Sequence, residues 1–257
     1  MNNKSNNRPT KISLTIEQRE CLSRAEKAQA SRDFKLAELE YRKLINNNIR
    51  LPGVYSQLAL ICAMSNRIEE ARNLWSFTLT LDGYFIGALM GLGDVSKFER
   101  NFTKAIVFYQ KAIAVEPMLA TGYLNLSICF MQLGQLSESE QACRKAIEVK
   151  HDFTQAKDQL GEVLLAKGEL GQAQRLFEQL IVEYPQNVVV LYKLGNLLKS
   201  QGKLAQATAL YQKAFSIQPT YSQAHFNYAS IHKYTDPNDS HIKQMQVLHQ
   251  TNNLPEE

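Results

Sequence analysis

The sequence of 257 residues predicts an all-α fold, an α-solenoid of stacked helical hairpins closed by a C-terminal capping helix. Three observations predict it: self-similarity at a fixed step of 34 residues, helical spacing of apolar residues inside each step, and turn-forming residues midway through it. Ala37, Ala71, Ala105, Ser139, Ala173 and Ala207 form a column of small residues. A second column, Ala25, Ala59, Gly93, Ser127, Gly161, Gly195 and Ala229, holds nothing larger than Ala or Ser. Phe34, Ile68, Phe102, Leu136, Leu170 and Leu204 are uniformly large and apolar, as are Ile45, Leu79, Ile113, Ile147, Ile181 and Phe215. The fifth column, Tyr41, Trp75, Tyr109, Cys143, Phe177 and Tyr211, is mostly aromatic. Five columns in step without an insertion do not arise by chance.

The elements follow in order. Residues 1–17, Asn-rich and basic at the start, read as a flexible tail leading into the first helix. Six repeats then occupy 18–51, 52–85, 86–119, 120–153, 154–187 and 188–221. In the fourth, Tyr123, Leu126, Ser127 and Phe130 share one helical face, and Leu136, Ser139, Cys143, Ala146 and Ile147 share another. Between the two lies the turn column Arg32, Asn66, Arg100, Gly134, Gly168 and Gly202, rich in residues that accept the left-handed conformation closing a helix. Pro117, Pro185 and Pro219 end their repeats. The small columns are expected where helices cross with no side chain between them, with the Phe34 and Tyr41 columns filling the space alongside and reaching the next hairpin. Residues 222–250 read as a half repeat plus a cap: a helix over Ser222 to Lys233, a break at Thr235-Asp236-Pro237-Asn238, then a short helix with Ile242, Met245 and Leu248 on one face. A cap is needed because a terminal hairpin leaves an apolar face open. Residues 251–257 are a tail.

Composition narrows the function. The chain is 44% hydrophobic and 21% charged, and Lys+Arg 29 against Asp+Glu 25 leaves +4, too mild to indicate nucleic acid as a partner. No apolar run approaches a membrane span, and the first residues lack a secretory leader. Cys21, Cys62, Cys129 and Cys143 show no close pairing and read as free thiols. A cytoplasmic protein is expected. The sequence has no phosphate loop, nucleophile elbow or H-E-x-x-H helix. On one helix His225 and His232 stand roughly 10 Å apart, too far to share a zinc, so they read as packing histidines. No catalytic residue, metal or cofactor is expected, and the chain is not read as an enzyme.

The pattern at Tyr192, Leu194, Gly195, Leu198, Ala207, Tyr211, Ala214 and Pro219 closely resembles the tetratricopeptide repeat. The resemblance covers 18–221 and part of 222–235, and is weakest in 18–51, where Arg24 replaces the usual Leu and no terminal Pro occurs. It implies a right-handed superhelix whose first helices line a concave groove for a protein or peptide partner. The segment Asn227-Tyr228-Ala229-Ser230-Ile231-His232-Lys233-Tyr234, with Asp236, Asp239 and Met245, is similar to the end of the repeat array preceding the catalytic domain in bacterial sulfotransferase proteins. That likeness implies an alternative: the repeat region of a split sulfotransferase or other glycan-modifying enzyme, although nothing here resembles a phosphosulfate-binding loop.

If first helices line the groove, the contact column is Ser23, Gln57, Gly91, Asn125, Gln159, Lys193 and Asn227, four of them amides able to donate and accept at once. It is similar to the asparagine ladder of the O-linked N-acetylglucosamine transferase family. Acidic Glu26, Asp94, Asp158 and Glu162 fall toward the early and middle repeats, while Tyr192, Lys193, Asn196, Lys199, Phe226, Asn227, Lys233 and Tyr234 cluster late. With Asn125 and Gln159, these eight are the candidate binding residues, suited to an acidic or C-terminal peptide segment. The chaperone-tail clamp of related repeats matches at Asn196 and Asn227 but has Tyr192 where its first Lys belongs. Self-association through an uncovered first hairpin is a third possibility for the surface.

Overall fold

A computed structural model describes residues 14–236 and 239–252. The tails expected at either end lie mostly outside these residues, as do Pro237 and Asn238 of the expected break. The described residues form helices and turns, in two units, Met1–Leu133 and Gly134–Glu257.

The first unit contains three hairpins and the helix that follows them. Its helices are α1 (Ile16–Ala30), α2 (Phe34–Asn46), α3 (Pro52–Met64), α4 (Ile68–Leu81), α5 (Ile86–Phe98), α6 (Phe102–Val115) and α7 (Ala120–Gln132). Each packs on the next in the chain. The second unit holds α8 (Leu136–Val149), α9 (Thr154–Ala166), α10 (Leu170–Glu183), α11 (Val188–Ser200), α12 (Leu204–Ile217), α13 (Ser222–Ala229) and α14 (Ser240–Asn252). There, consecutive packing runs from α8 to α13. A capping box starts α1: the Gln18 amide donates to Thr15 Oγ1 at 3.2 Å, and the Thr15 amide donates to Gln18 Oε1 at 2.9 Å.

The turn column has one backbone solution throughout. Arg32, Asn66, Arg100, Gly134, Gly168 and Gly202 all have φ between 60° and 78°. The next residue's amide reaches back to a carbonyl five positions earlier, as from Asp33 to Ala28 and from Lys203 to Leu198, at 2.8 and 2.9 Å. This closure satisfies carbonyls that the helix end would leave bare. Arg32 and Arg100 take it despite their Cβ atoms, because the short connection between packed helices dictates the geometry.

The small column of the first helices makes the close contact expected of it. Where its member is glycine, the residue lies beneath a ring from the second helix, sixteen positions later. A Cβ added to Gly93 would stand 2.5 Å from the Tyr109 ring, one on Gly161 2.3 Å from Phe177, and one on Gly195 2.5 Å from Tyr211. These three rings thus fill space in their own hairpin, and Trp75 also reaches forward. Its larger indole extends to the next first helix, where a Cβ on Gly91 would come within 2.3 Å of it.

The first repeat forms a complete hairpin, and its unusual Arg24 has a task. Glu40 is buried, and Arg24 pairs with its carboxylate at 2.9 Å while Lys43 takes the other oxygen. Hydrogen bonding by Lys43 first, opposed by burial and aided by Cys21 and Arg24, holds that carboxyl down at about 2. A leucine at position 24 would remove one of the two cations. All four cysteines are buried free thiols.

The last helices differ from expectation. The α13 helix ends at Ala229, not Lys233, so His225 and His232 do not share a helix. Ser230 turns its hydroxyl onto the Asn227 carbonyl at 2.7 Å, and His232 is drawn toward Asp239 at 3.1 Å. Both contacts compete with continuing the helix.

Two stability measurements check this packing. Gly195→Ala should lower stability by about 1–3 kcal/mol through overpacking against Tyr211, whereas Gly171→Ala, which meets nothing within 4 Å, should not; equal denaturant midpoints would refute the ring contact. Arg100→Gly should raise stability by about 0.5–1 kcal/mol by relieving its positive φ.

Candidate functional site

The first helices carry a polar column, and Gln57, Asn125, Lys193 and Asn227 in it each bond to a side chain of the preceding first helix. In the first unit Gln29 donates to Gln57 at 2.8 Å. Farther along, Asn125 donates to Asp94 Oδ1 at 3.3 Å and accepts from Lys97 Nζ at 3.0 Å. In the second unit Asn227 Nδ2 donates to Asn196 Oδ1 at 2.7 Å and to the Tyr192 hydroxyl at 3.2 Å. The column is therefore a preorganised surface, its side chains held in place before any partner arrives. Gly91 does not belong to it: this position is buried beneath Trp75.

One four-residue arrangement occurs in each unit, three repeats apart. Asp94, Lys97, Tyr109 and Asn125 correspond to Asn196, Lys199, Tyr211 and Asn227. The Tyr109 hydroxyl donates to Asp94 Oδ1 at 2.7 Å, and the Tyr211 hydroxyl donates to Asn196 Oδ1 at 2.8 Å. Each tyrosine is the ring of the small-residue contact, with its hydroxyl emerging at the polar column. Electrostatics separate the copies. Lys97 is paired with Asp94 at 3.0 Å, but Asn196 carries no charge, and Lys199 instead donates to Ser230 Oγ at 2.7 Å. The second copy retains a positive charge beside three polar groups. Neither Asp94, Lys97, Tyr109 nor Tyr211 stands out as a site residue in the sequence, although a comparison at three times the repeat length aligns all four.

Lys193 behaves otherwise. Its ammonium lies 2.7 Å from Asp158 and 2.9 Å from Glu162, with only 18% of the side chain exposed. Burial alone pulls its pKa down, but the bonds to Asp158 and Glu162 hold it above the ordinary lysine value. The division of acidic middle repeats from basic late repeats thus fails at this point: the carboxylates and the lysine are partners. Gln159 is half-buried on α9, and Tyr192 packs edge-on against Tyr221 at 5.5 Å. Phe226 is 74% exposed, and Lys233 lies at the surface after α13.

Tyr234 belongs to a separate cluster. His225 Nε2 is 2.8 Å from the Pro219 carbonyl, which only accepts, so this nitrogen carries a proton. With both rings neutral, His225 Nδ1 accepts from His241 Nε2 at 2.9 Å, and His241 Nδ1 accepts from the Tyr234 hydroxyl at 2.6 Å. Both rings are buried, packed with Phe215 and Tyr228. No group of three His, Cys, Asp or Glu able to hold a metal occurs among the described residues. No described helix is long and apolar enough to cross a membrane.

Two family models described as tetratricopeptide repeat match residues 120–152 and 164–225. The E3 ubiquitin-protein ligase CHIP of Arabidopsis thaliana is 35% identical over 71 residues, 28% of this chain and 26% of that protein. Across the curated relatives it matches, the chain spans only 8–31% of their lengths. PilW, a type IV pilus biogenesis factor, superposes with a TM-score of 0.74 over 83% of this chain and 99% of its own, at 15% identity. YrrB, a tetratricopeptide protein with an unusual peptide-binding site, gives 0.58 over 72% and 95%, at 23% identity. The family models support a tetratricopeptide likeness over the residues they match, and the structural neighbours show that the fold is an all-α solenoid.

The histidine chain makes the α14 contact sensitive to acid. Burial, then the neighbouring His225, lowers the His241 pKa below its ordinary 6.5; Asp239 opposes this, and His232 adds to it. A depressed value means that the stabilisation is full above 6.5 and is lost as pH falls through the folded value. An added proton would bury a charge among rings and reverse at least one bond of the chain. Protection of the α14 amides, relative to the unstructured-chain exchange rate at each pH, should fall as pH drops from 7 to 5, and less so in His241→Phe; a flat protection profile in the native chain would refute the assignment.

Proposed function

We propose that this chain is a protein-interaction module that holds an extended peptide segment on the polar column of its first helices, with the strongest contacts in the second unit. The observation that carries this reading is the Asn196–Lys199–Tyr211–Asn227 arrangement, in which Asn196, Tyr211 and Asn227 fix one another and Lys199 has no carboxylate partner among the described residues. Asn227 spends both amide protons on Asn196 and Tyr192, which leaves its carbonyl for a backbone N–H, while the Asn196 amide group is left to donate to a carbonyl. Lys199 suits a carboxylate. Repeat proteins of this class are generally interaction scaffolds, and YrrB's peptide-binding site supports a peptide as the ligand. Gln159 would extend the column within the second unit, and Asn125 takes the corresponding place in the first. The reading includes a cytoplasmic setting, with which four free thiols are compatible. The alternative of the repeat region of a split sulfotransferase or other glycan-modifying enzyme gains no support from these matches.

The two lysines should separate in experiment. Lys199→Glu should weaken capture of an acidic synthetic peptide by about tenfold or more, with unchanged helicity. Lys193→Glu should instead cost stability, on the order of 1–3 kcal/mol, because Asp158 and Glu162 lose their cation. Fluorescence anisotropy paired with thermal melts reads both; peptide affinity indifferent to Lys199→Glu would remove the proposed site.

A further inference from the structure

The repeat register continues past the sixth hairpin. Counting on by 34, His241 takes the small position after Ala207, Met245 takes the ring position after Tyr211, and Ala229 is the small residue that this ring should cover. Helix α14 therefore stands in register as the second helix of a seventh hairpin. An imidazole cannot fit where six repeats have Ala or Ser, and His241 instead stacks on His225, ring centroids 5.1 Å apart. The covering contact is missing as a result. Ala229 is exposed, Met245 is 41% exposed, and a cavity of about 640 Å³ opens between α13 and α14. Phe226, Ala229, Tyr234, His241, Ile242 and Met245 line it, almost all with apolar surface.

Charge around the cavity is predominantly positive. Between Glu183 and Glu256 the chain has six lysines, no arginine and only Asp236 and Asp239 as acids. Asp239 is engaged by His232 and by the amide of His241. Of the lysines, Lys193 is neutralised, but Lys199 reaches Ser230 beside Ala229, and Lys233 and Lys243 are exposed next to Tyr234 and Ile242.

We propose that this cleft receives one aromatic side chain from an acidic peptide segment, the ring lying over Ala229 as the Tyr211 ring lies over Gly195. The chain thus leaves its last hairpin incomplete, and a partner completes it in trans. The inference rests on the peptide-binding reading for the class of partner but assigns a place outside the polar column.

The test uses the full chain and two fluorescein-labelled twelve-residue peptides of Glu, Asp and Ser, one with a central Phe and one with Ala there. The Phe peptide should bind about tenfold or more tighter and shift the Met245 methyl resonance. Ala229→Phe, which fills the cleft from within, should abolish the preference for Phe, as should Met245→Ala to a lesser degree, with helicity checked by circular dichroism. Asn196→Ala should weaken both peptides and keep the preference. Should Asn196→Ala and Lys199→Glu bind normally while Ala229→Phe does not, the column reading fails and the cleft stands. Equal binding of the two peptides, absence of binding by the Phe peptide, a preference that survives Ala229→Phe, or closure of the cleft by a second copy in sedimentation would each overturn the proposal.

Discussion

In three hairpins a ring from the second helix lies on a glycine of the first, and much of the architecture depends on that contact. Tyr109 on Gly93, Phe177 on Gly161 and Tyr211 on Gly195 leave no room for even a methyl group. Because the partners stand sixteen positions apart, the contact also sets the length of the turn between helices. A connection that short closes only through a residue of positive φ, so the turn column follows from the packing and is met even where arginine occupies it.

The same contact links the core to the exposed column. A tyrosine that packs its ring inside the hairpin brings its hydroxyl out at the first-helix surface, where it orients Asp94 in one unit and Asn196 in the other. Core and polar column are thus two ends of one side chain. Where the ring is Trp75, the indole covers Gly91 and the polar column is interrupted; where it is Phe177, no hydroxyl emerges. The identity of one buried residue per repeat decides how many polar groups that repeat can present.

The C-terminal end shows what happens when the small position is lost. With His241 in place of alanine, the seventh second helix is held by a chain of hydrogen bonds through His225 and Tyr234 rather than by close backbone approach. This substitutes directional, protonation-dependent bonds for dispersion contacts, and it leaves apolar surface uncovered beside a cluster of lysines.

Helix number, hairpin pairing and the turn positions were legible in the sequence because a strict period places equivalent residues in equivalent environments, and burial then selects the same size at each. Asn196 and Asn227 could be singled out on the same basis. What the tertiary structure alone decided is which side chains find each other across that period: Lys193 neutralised by Asp158 and Glu162 a full repeat away, Gly91 covered by Trp75, and α13 ending at Ala229. Periodicity reports the environment of a position, whereas ion pairing, ring reach and helix termination depend on distances between side chains that no column of residue types contains.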